Sequence, residues 1–98
     1  MAEVRWTAQA AEDLDCIAQY IAKDSPHHAS LFVANLLKAV ERLASFPGSG
    51  RIVPEVNDPA IRETILGSYR LVYRVEEGVV VILTVHHGAR LFDPSRIQ

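Results

Sequence analysis

Residues 61–90, IRETILGSYRLVYRVEEGVVVILTVHHGAR, constrain the fold more than any other part of the chain. Three runs rich in β-branched and aromatic residues are separated by Gly67-Ser68 and Glu77-Gly78, and short glycine-bearing breaks of this kind specify antiparallel hairpins. Strands are therefore predicted at 61–66, 69–76 and 79–86. The last run, VVVILTV, is almost continuously apolar and belongs in the middle of a sheet, covered on both faces. In the strand before it, period-two alternation puts Tyr69, Leu71, Tyr73 and Val75 on one face, which reads as core. Arg70, Val72, Arg74 and Glu76 fall on the other, which reads as partly open.

The upstream half supplies what covers the core face. Residues 2–6 read as an opening strand that ends at Thr7, whose hydroxyl suits a helix cap. Over 8–23, Ala11, Leu14, Ile17, Ala18 and Ile21 recur at helical spacing, with Glu12, Asp15, Gln19 and Lys23 opposite them. Glu12 and Asp13 stand early in this helix, toward the positive end of its dipole. Asp24-Ser25-Pro26 stops it and starts another, because Ser25 can cap and proline suits the first helical position. The second helix, 26–45, carries Ala29, Phe32, Val33, Leu36, Val40 and Leu43 on one face, and so short a connection makes an antiparallel helical hairpin. Phe46-Pro47-Gly48-Ser49-Gly50 ends it. A loop then runs to Pro59, with Ile52 and Val53 as its expected anchor to the core. The chain of 98 residues is predicted to form one domain, residues 1–98. Its class is α+β in two layers: an N-terminal strand, a helical hairpin and a three-stranded antiparallel meander, in the order β-α-α-β-β-β.

Composition narrows the chemistry. At 49% hydrophobic and 22% charged the chain will bury a core, while a net charge of −2 removes the broad basic footprint that usually marks phosphate binding. What remains is a local patch. Of ten basic residues only Lys23 and Lys38 are lysines, and arginine suits planar recognition of carboxylate or phosphate. Arg51, Arg62, Arg70, Arg74 and Arg90 converge on the meander and its loop. Arg70 and Arg74 have an alternative reading as partners of Glu63 or Glu76 in a cross-strand charge ladder. Cys16 is the lone cysteine, so no intrachain disulfide forms, and its neighbours Leu14, Ile17 and Ala18 predict a buried thiol. His27 and His28 are expected on the surface. His86 and His87, adjacent on a strand, point to opposite faces and cannot hold one ion together. Nucleotide-binding, zinc-protease and serine-hydrolase motifs are absent, and no cofactor or metal is expected. The opening MAEVRWTAQA has no charged-then-apolar segment, and no apolar run approaches the roughly 20 residues of a membrane span. A soluble cytoplasmic chain without membrane partners is expected.

Several segments together resemble one family. Trp6, Ala10, Asp13 and Leu14 at the first helix, the loop FPGSGRIVPE, the tripeptide IRE, GSYRLVYRV and the closing HGAR are similar, in order, to the RelE/ParE superfamily of type II toxin–antitoxin toxins. The resemblance implies a helical hairpin packed on an antiparallel sheet and a cognate antitoxin whose C-terminal segment wraps the toxin. It also implies one of two targets. RelE-like members cleave messenger RNA in the ribosomal A site; ParE-like members poison DNA gyrase. The nuclease pattern maps its strand arginine onto Arg70 and its post-strand arginine onto Arg90, with His87 as a possible proton-transfer group. Its two lysines, however, fall near Ile61 and Glu63 and its tail tyrosine near Arg96. The loop and the HGAR ending look more like ParE. The resemblance therefore implies a gyrase inhibitor with Arg51, Arg62, Arg70, Arg74 and Arg90 as target-binding residues. A ribosome-dependent endoribonuclease and an inactive antitoxin-binding module are the alternatives.

Overall fold

The computed structural model describes residues 1–88 and Ser95. Its elements run β1 (Glu3–Trp6), α1 (Ala8–Asp24), α2 (Pro26–Ser45), a 3-10 turn (Pro47–Ser49), β2 (Arg51–Ile52), β3 (Ile61–Leu66), β4 (Tyr69–Glu76) and β5 (Val79–His87). Both helix starts form as their sequences dictate. Thr7 Oγ1 accepts the Ala10 N–H at 3.0 Å and donates to the Leu83 carbonyl at 3.0 Å, so the cap also ties α1 to the sheet. Ser25 Oγ accepts the His28 N–H at 3.2 Å, with Pro26 in the first helical turn. Glu12 and Asp13 lie beyond the first turn of α1, since the helix begins at Ala8.

The five strands form one sheet in the order β1-β5-β4-β3-β2. β3, β4 and β5 are the antiparallel meander, turning at Gly67 (φ 58°) and Gly78 (φ 70°), both in the left-handed region that glycine tolerates. β5 is central, as its apolar run requires. Its other neighbour is β1, which pairs in parallel from Glu3↔Val79 to Trp6↔Ile82. The two-residue β2 is an addition to the expected order, and it pairs Arg51 with Glu63.

The hairpin covers one face of the sheet. Ala10, Leu36, Val40 and Leu43 from the helices meet Leu71, Tyr73, Val80, Ile82 and Val85, all buried. The stripe of α1 is centred on Ala10, Leu14 and Ile17, and Ala11 lies outside it, exposed. Cys16 is exposed as well, contrary to the expectation of a buried thiol, because it sits one position off that stripe.

The opposite face is not open. Val53, Ile61, Val72 and Leu83 form a second buried cluster with Val56 and Val81 against it. The loop folds back over the sheet: Val53 N–H donates to Ile61 O at 3.1 Å, Asn57 N–H to Val53 O at 2.8 Å and Ile61 N–H to Asp58 O at 2.9 Å. Val53 is thus the anchor, while Ile52 stays exposed. Covering this face corrects the reading of the Arg70–Val72 side as solvent-facing: both residues are buried.

Candidate functional site

Glu63 stands in β3 between Ile61 and Ile65, in register with Val72 of β4 and Arg51 of β2. Its side chain is 0% exposed. A carboxylate so placed must be matched by cations and hydrogen-bond donors. Arg51 Nε donates to Glu63 Oε2 at 2.5 Å, and Arg70 Nε to Oε1 at 2.5 Å, with Arg70 Nη2 on the same oxygen. Arg70, 8% exposed, also makes a two-pronged pair with Glu55 of the covering loop, at 2.8 and 3.0 Å. Planar guanidinium geometry makes this fork possible.

Four charges are therefore joined as Arg51–Glu63–Arg70–Glu55, two of each sign, and the group is neutral. The Arg70 guanidinium, bonded to Glu55, holds that carboxylate well below its ordinary 4.5, at about 2. Glu55 and Glu63 in turn raise Arg70 further above the usual arginine value. Glu55 and Arg70 therefore remain ionised at neutral pH.

The other predicted arginines go to different places. Arg62 Nε donates to Pro59 O at 3.1 Å and Nη1 to Gly50 O at 2.9 Å, so it fastens both ends of the loop. Arg74 is partly exposed and pairs with Glu76 at 2.9 Å. Arg90, and Arg96 where the tail tyrosine would stand, lie outside the described residues. Thus Arg51 and Arg70 are brought together through Glu63, whereas Arg62 and Arg74 are not part of that cluster. The cross-strand charge-ladder reading holds for Arg70, which pairs with Glu63 of β3, but not for Arg74, whose partner Glu76 lies on the same strand.

Next to the cluster is a depression of about 350 Å³ bordered by Arg51, Ile65, Tyr69, Arg70 and His87. A second cleft of about 420 Å³ opens between α1 and the ends of β4 and β5, with Cys16, Tyr20, Tyr69 and His87 on its walls. His87 is exposed and meets Tyr69 edge to face at 5.3 Å, and Tyr69 meets Phe32 similarly at 5.0 Å. His86 is buried in register with Arg70. The two histidines diverge as adjacent strand residues must. His27 and His28 are exposed at the start of α2. Among the described residues no group of three or more His, Cys, Asp or Glu is placed to hold a metal.

Two anchoring residues escaped the sequence reading. Asp13 Oδ2 accepts the Thr84 hydroxyl and the Val85 N–H (3.2 Å), securing β5 where its pairing with β4 shifts between Val72 and Tyr73. The signal was Thr84, the one polar residue in VVVILTV. The second is Tyr73, whose hydroxyl accepts the Gly50 N–H at 2.9 Å and donates to Pro47 O at 3.1 Å. Burial raises its pKa. Glu63 itself could have been found as a charge inside the alternation Ile61, Glu63, Ile65.

Comparison with known proteins gives a consistent set. The model of "ParE toxin of type II toxin-antitoxin system, parDE" matches residues 4–92. Toxin RelE2 of Caulobacter vibrioides is 36% identical over 92 residues, covering 93% of this chain and all of that protein. Putative toxin Y4kP of Sinorhizobium fredii is 36% identical over 85 residues, 85% of each. Among solved structures, the chromosomal ParDE system of P. aeruginosa superimposes with a TM-score of 0.71 at 27% identity, covering 89% of this chain and 96% of the other. The RelBE2 toxin–antitoxin complex of Mycobacterium tuberculosis gives 0.60 at 28%, covering 91% and 93%.

Proposed function

The chain belongs to the ParE toxin family of type II toxin–antitoxin systems, and we propose that it blocks replication by binding DNA gyrase, without cutting RNA, until a cognate antitoxin covers it. One observation carries this reading against RNA cleavage. Phosphoryl transfer needs positive charge aimed at the reacting phosphate, and Arg70, the arginine that the nuclease pattern requires, spends its charge on Glu63 and Glu55. Glu63 stands where that pattern has a lysine. A buried carboxylate at that place repels a phosphate and holds Arg51 and Arg70 back from it.

An inhibitor needs no such free cation, because it works by occupying a surface. Its contact residues are then the exposed Arg51 and the partly exposed Arg74, together with Arg62 at the loop and the cleft rim at Tyr20 and His87. Arg70 serves by holding the loop that presents them. Both solved relatives come from toxin–antitoxin systems, which supports an antitoxin as partner. No helix among the described residues is long and apolar enough to cross a membrane.

A second reading, ribosome-dependent mRNA cleavage, draws on the depression that gathers Arg51, Arg70 and His87. Two assays on the purified chain separate them. Inhibition of gyrase supercoiling, or trapping of cleaved DNA, with intact messenger is the expected result. Messenger cut in the A site with gyrase unaffected transfers the function to the nuclease, and inertness in both leaves an antitoxin-binding module.

A further inference from the structure

β1 ends the sheet on one side, and among the described residues no strand lies beyond it. Glu3 N–H donates to Gly78 O at 2.9 Å and Thr7 N–H to Ile82 O at 3.0 Å, while β1 and β5 run in parallel register between them. In such a ladder alternate residues bond to the neighbour, so the odd-numbered residues of β1 face β5 and the N–H and C=O of Val4 and Trp6 face outward. An edge of this kind is a template for another strand, and proteins commonly blunt it with charged side chains, lysine above all. Here the charges are unlike. Glu3 and Arg5 flank Val4, project together, are 59% and 61% exposed and pair with each other at 3.1 Å.

We infer that two copies of this chain associate edge to edge through β1, antiparallel and centred on Val4, with Glu3 of each copy facing Arg5 of the other. The sequence Glu-Val-Arg read backwards complements itself, so a two-fold axis at Val4 converts each internal ion pair into two intermolecular ones. The register follows from the backbone. Outward groups occur on even-numbered residues, so Val4 exchanges two hydrogen bonds with Val4 of the other copy, and each Trp6 N–H reaches an Ala2 carbonyl. Ala2 keeps its own N–H for Ala44 O at 2.8 Å, which limits the pairing to this length. Glu3 and Arg5 then form the non-hydrogen-bonded pairs, where opposed side chains come closest. On the helical side of the same edge, exposed Met1, Leu37 and Phe46 border a groove with Val4 and Trp6. A strand laid along β1 covers its rim. The contact is isologous and closed, hence a dimer and not a fibre.

The test is sedimentation velocity on the purified 98-residue chain without any partner, across the micromolar range. A concentration-dependent dimer is expected. Arg5→Glu and Glu3→Arg place like charges opposite each other twice, and each should weaken the dimer roughly tenfold or more. The double exchange, Glu3→Arg with Arg5→Glu, should restore it to near the original strength. Val4→Pro removes an N–H that folding does not use, as edge strands permit, and should abolish the dimer with an unchanged circular dichroism spectrum. If that variant fails to fold, the charge exchange still decides. A wild-type chain that stays monomeric overturns the inference, as does a dimer indifferent to the charge reversals. A wild-type monomer alone that binds an antitoxin strand at this edge overturns it as well.

Discussion

Replacing Arg70 by alanine leaves the buried Glu63 carboxylate with Arg51 alone and releases Glu55 from its fork. Breaking one member of a buried ionic cluster costs about 3 kcal/mol or more, whereas apolar replacement of both partners is much cheaper. Arg70→Ala should therefore lower the unfolding free energy by about 3 kcal/mol in urea denaturation, and Arg70→Met with Glu63→Met should recover more than half of that. Gyrase inhibition per folded molecule is expected to survive Arg70→Ala. Equal loss of folded-state inhibition and stability would show that the arginine touches the target. Glu55 adds a pH signature. Its folded pKa, about 2, lies below the ordinary 4.5, so its stabilisation is full above the unfolded value and is lost as pH falls from about 4.5 through 2. Because its side chain is 34% exposed, solvent screening limits the contribution to about 1–2 kcal/mol. Wild type and Glu55→Gln should differ in stability at neutral pH and converge only below about pH 2.

At the scale of elements, the seams are held by single side chains. Asp13 joins the middle of α1 to Thr84 and Val85, where the ladder with β4 is out of step. Asp13→Ala deprives a buried hydroxyl and a strand N–H of their acceptor, which should cost about 1–3 kcal/mol and speed exchange of the Val85 amide. Gly50 is equally constrained at the other end of the sheet. A Cβ there would run into the Tyr73 hydroxyl and the Glu63 carbonyl, so Gly50→Ala must displace β2 or break the Tyr73 hydrogen bond. A loss of about 2 kcal/mol or more is expected by thermal unfolding. These ties explain what could be read in advance. The caps at Thr7 and Ser25, the helical stripes and the two glycine turns are local patterns, and each formed within a residue or so of its expected bounds. The pairing of Asp13 with Thr84 spans 71 positions, and no local pattern encodes it.

For the molecule as a whole, exposed cations and buried ones part company. Arg74→Ala touches a part-exposed pair and should change stability by no more than about 1 kcal/mol, whereas Arg51→Ala takes a cation from the buried Glu63 carboxylate and should cost more. Both should weaken gyrase inhibition if these side chains meet the target. Inhibition unchanged in both would move the contact surface to the cleft beside Tyr20 and His87. The sequence by itself determined the class of fold, the helical hairpin, the meander and the central place of the strand 79–86, because periodicity and turn chemistry act over a few residues. Its likeness to the toxin family was legible in the order of its short segments. What only the tertiary structure decided is the state of the arginines. Period-two alternation correctly put Arg70 and Val72 on the face away from the helices, but whether that face meets water depends on where the loop after Gly50 lies. The loop settles on the sheet because Val53 and Val56 bury there, and it brings Glu55 to Arg70. An arginine that reads as free along the chain is thereby neutralised in the fold.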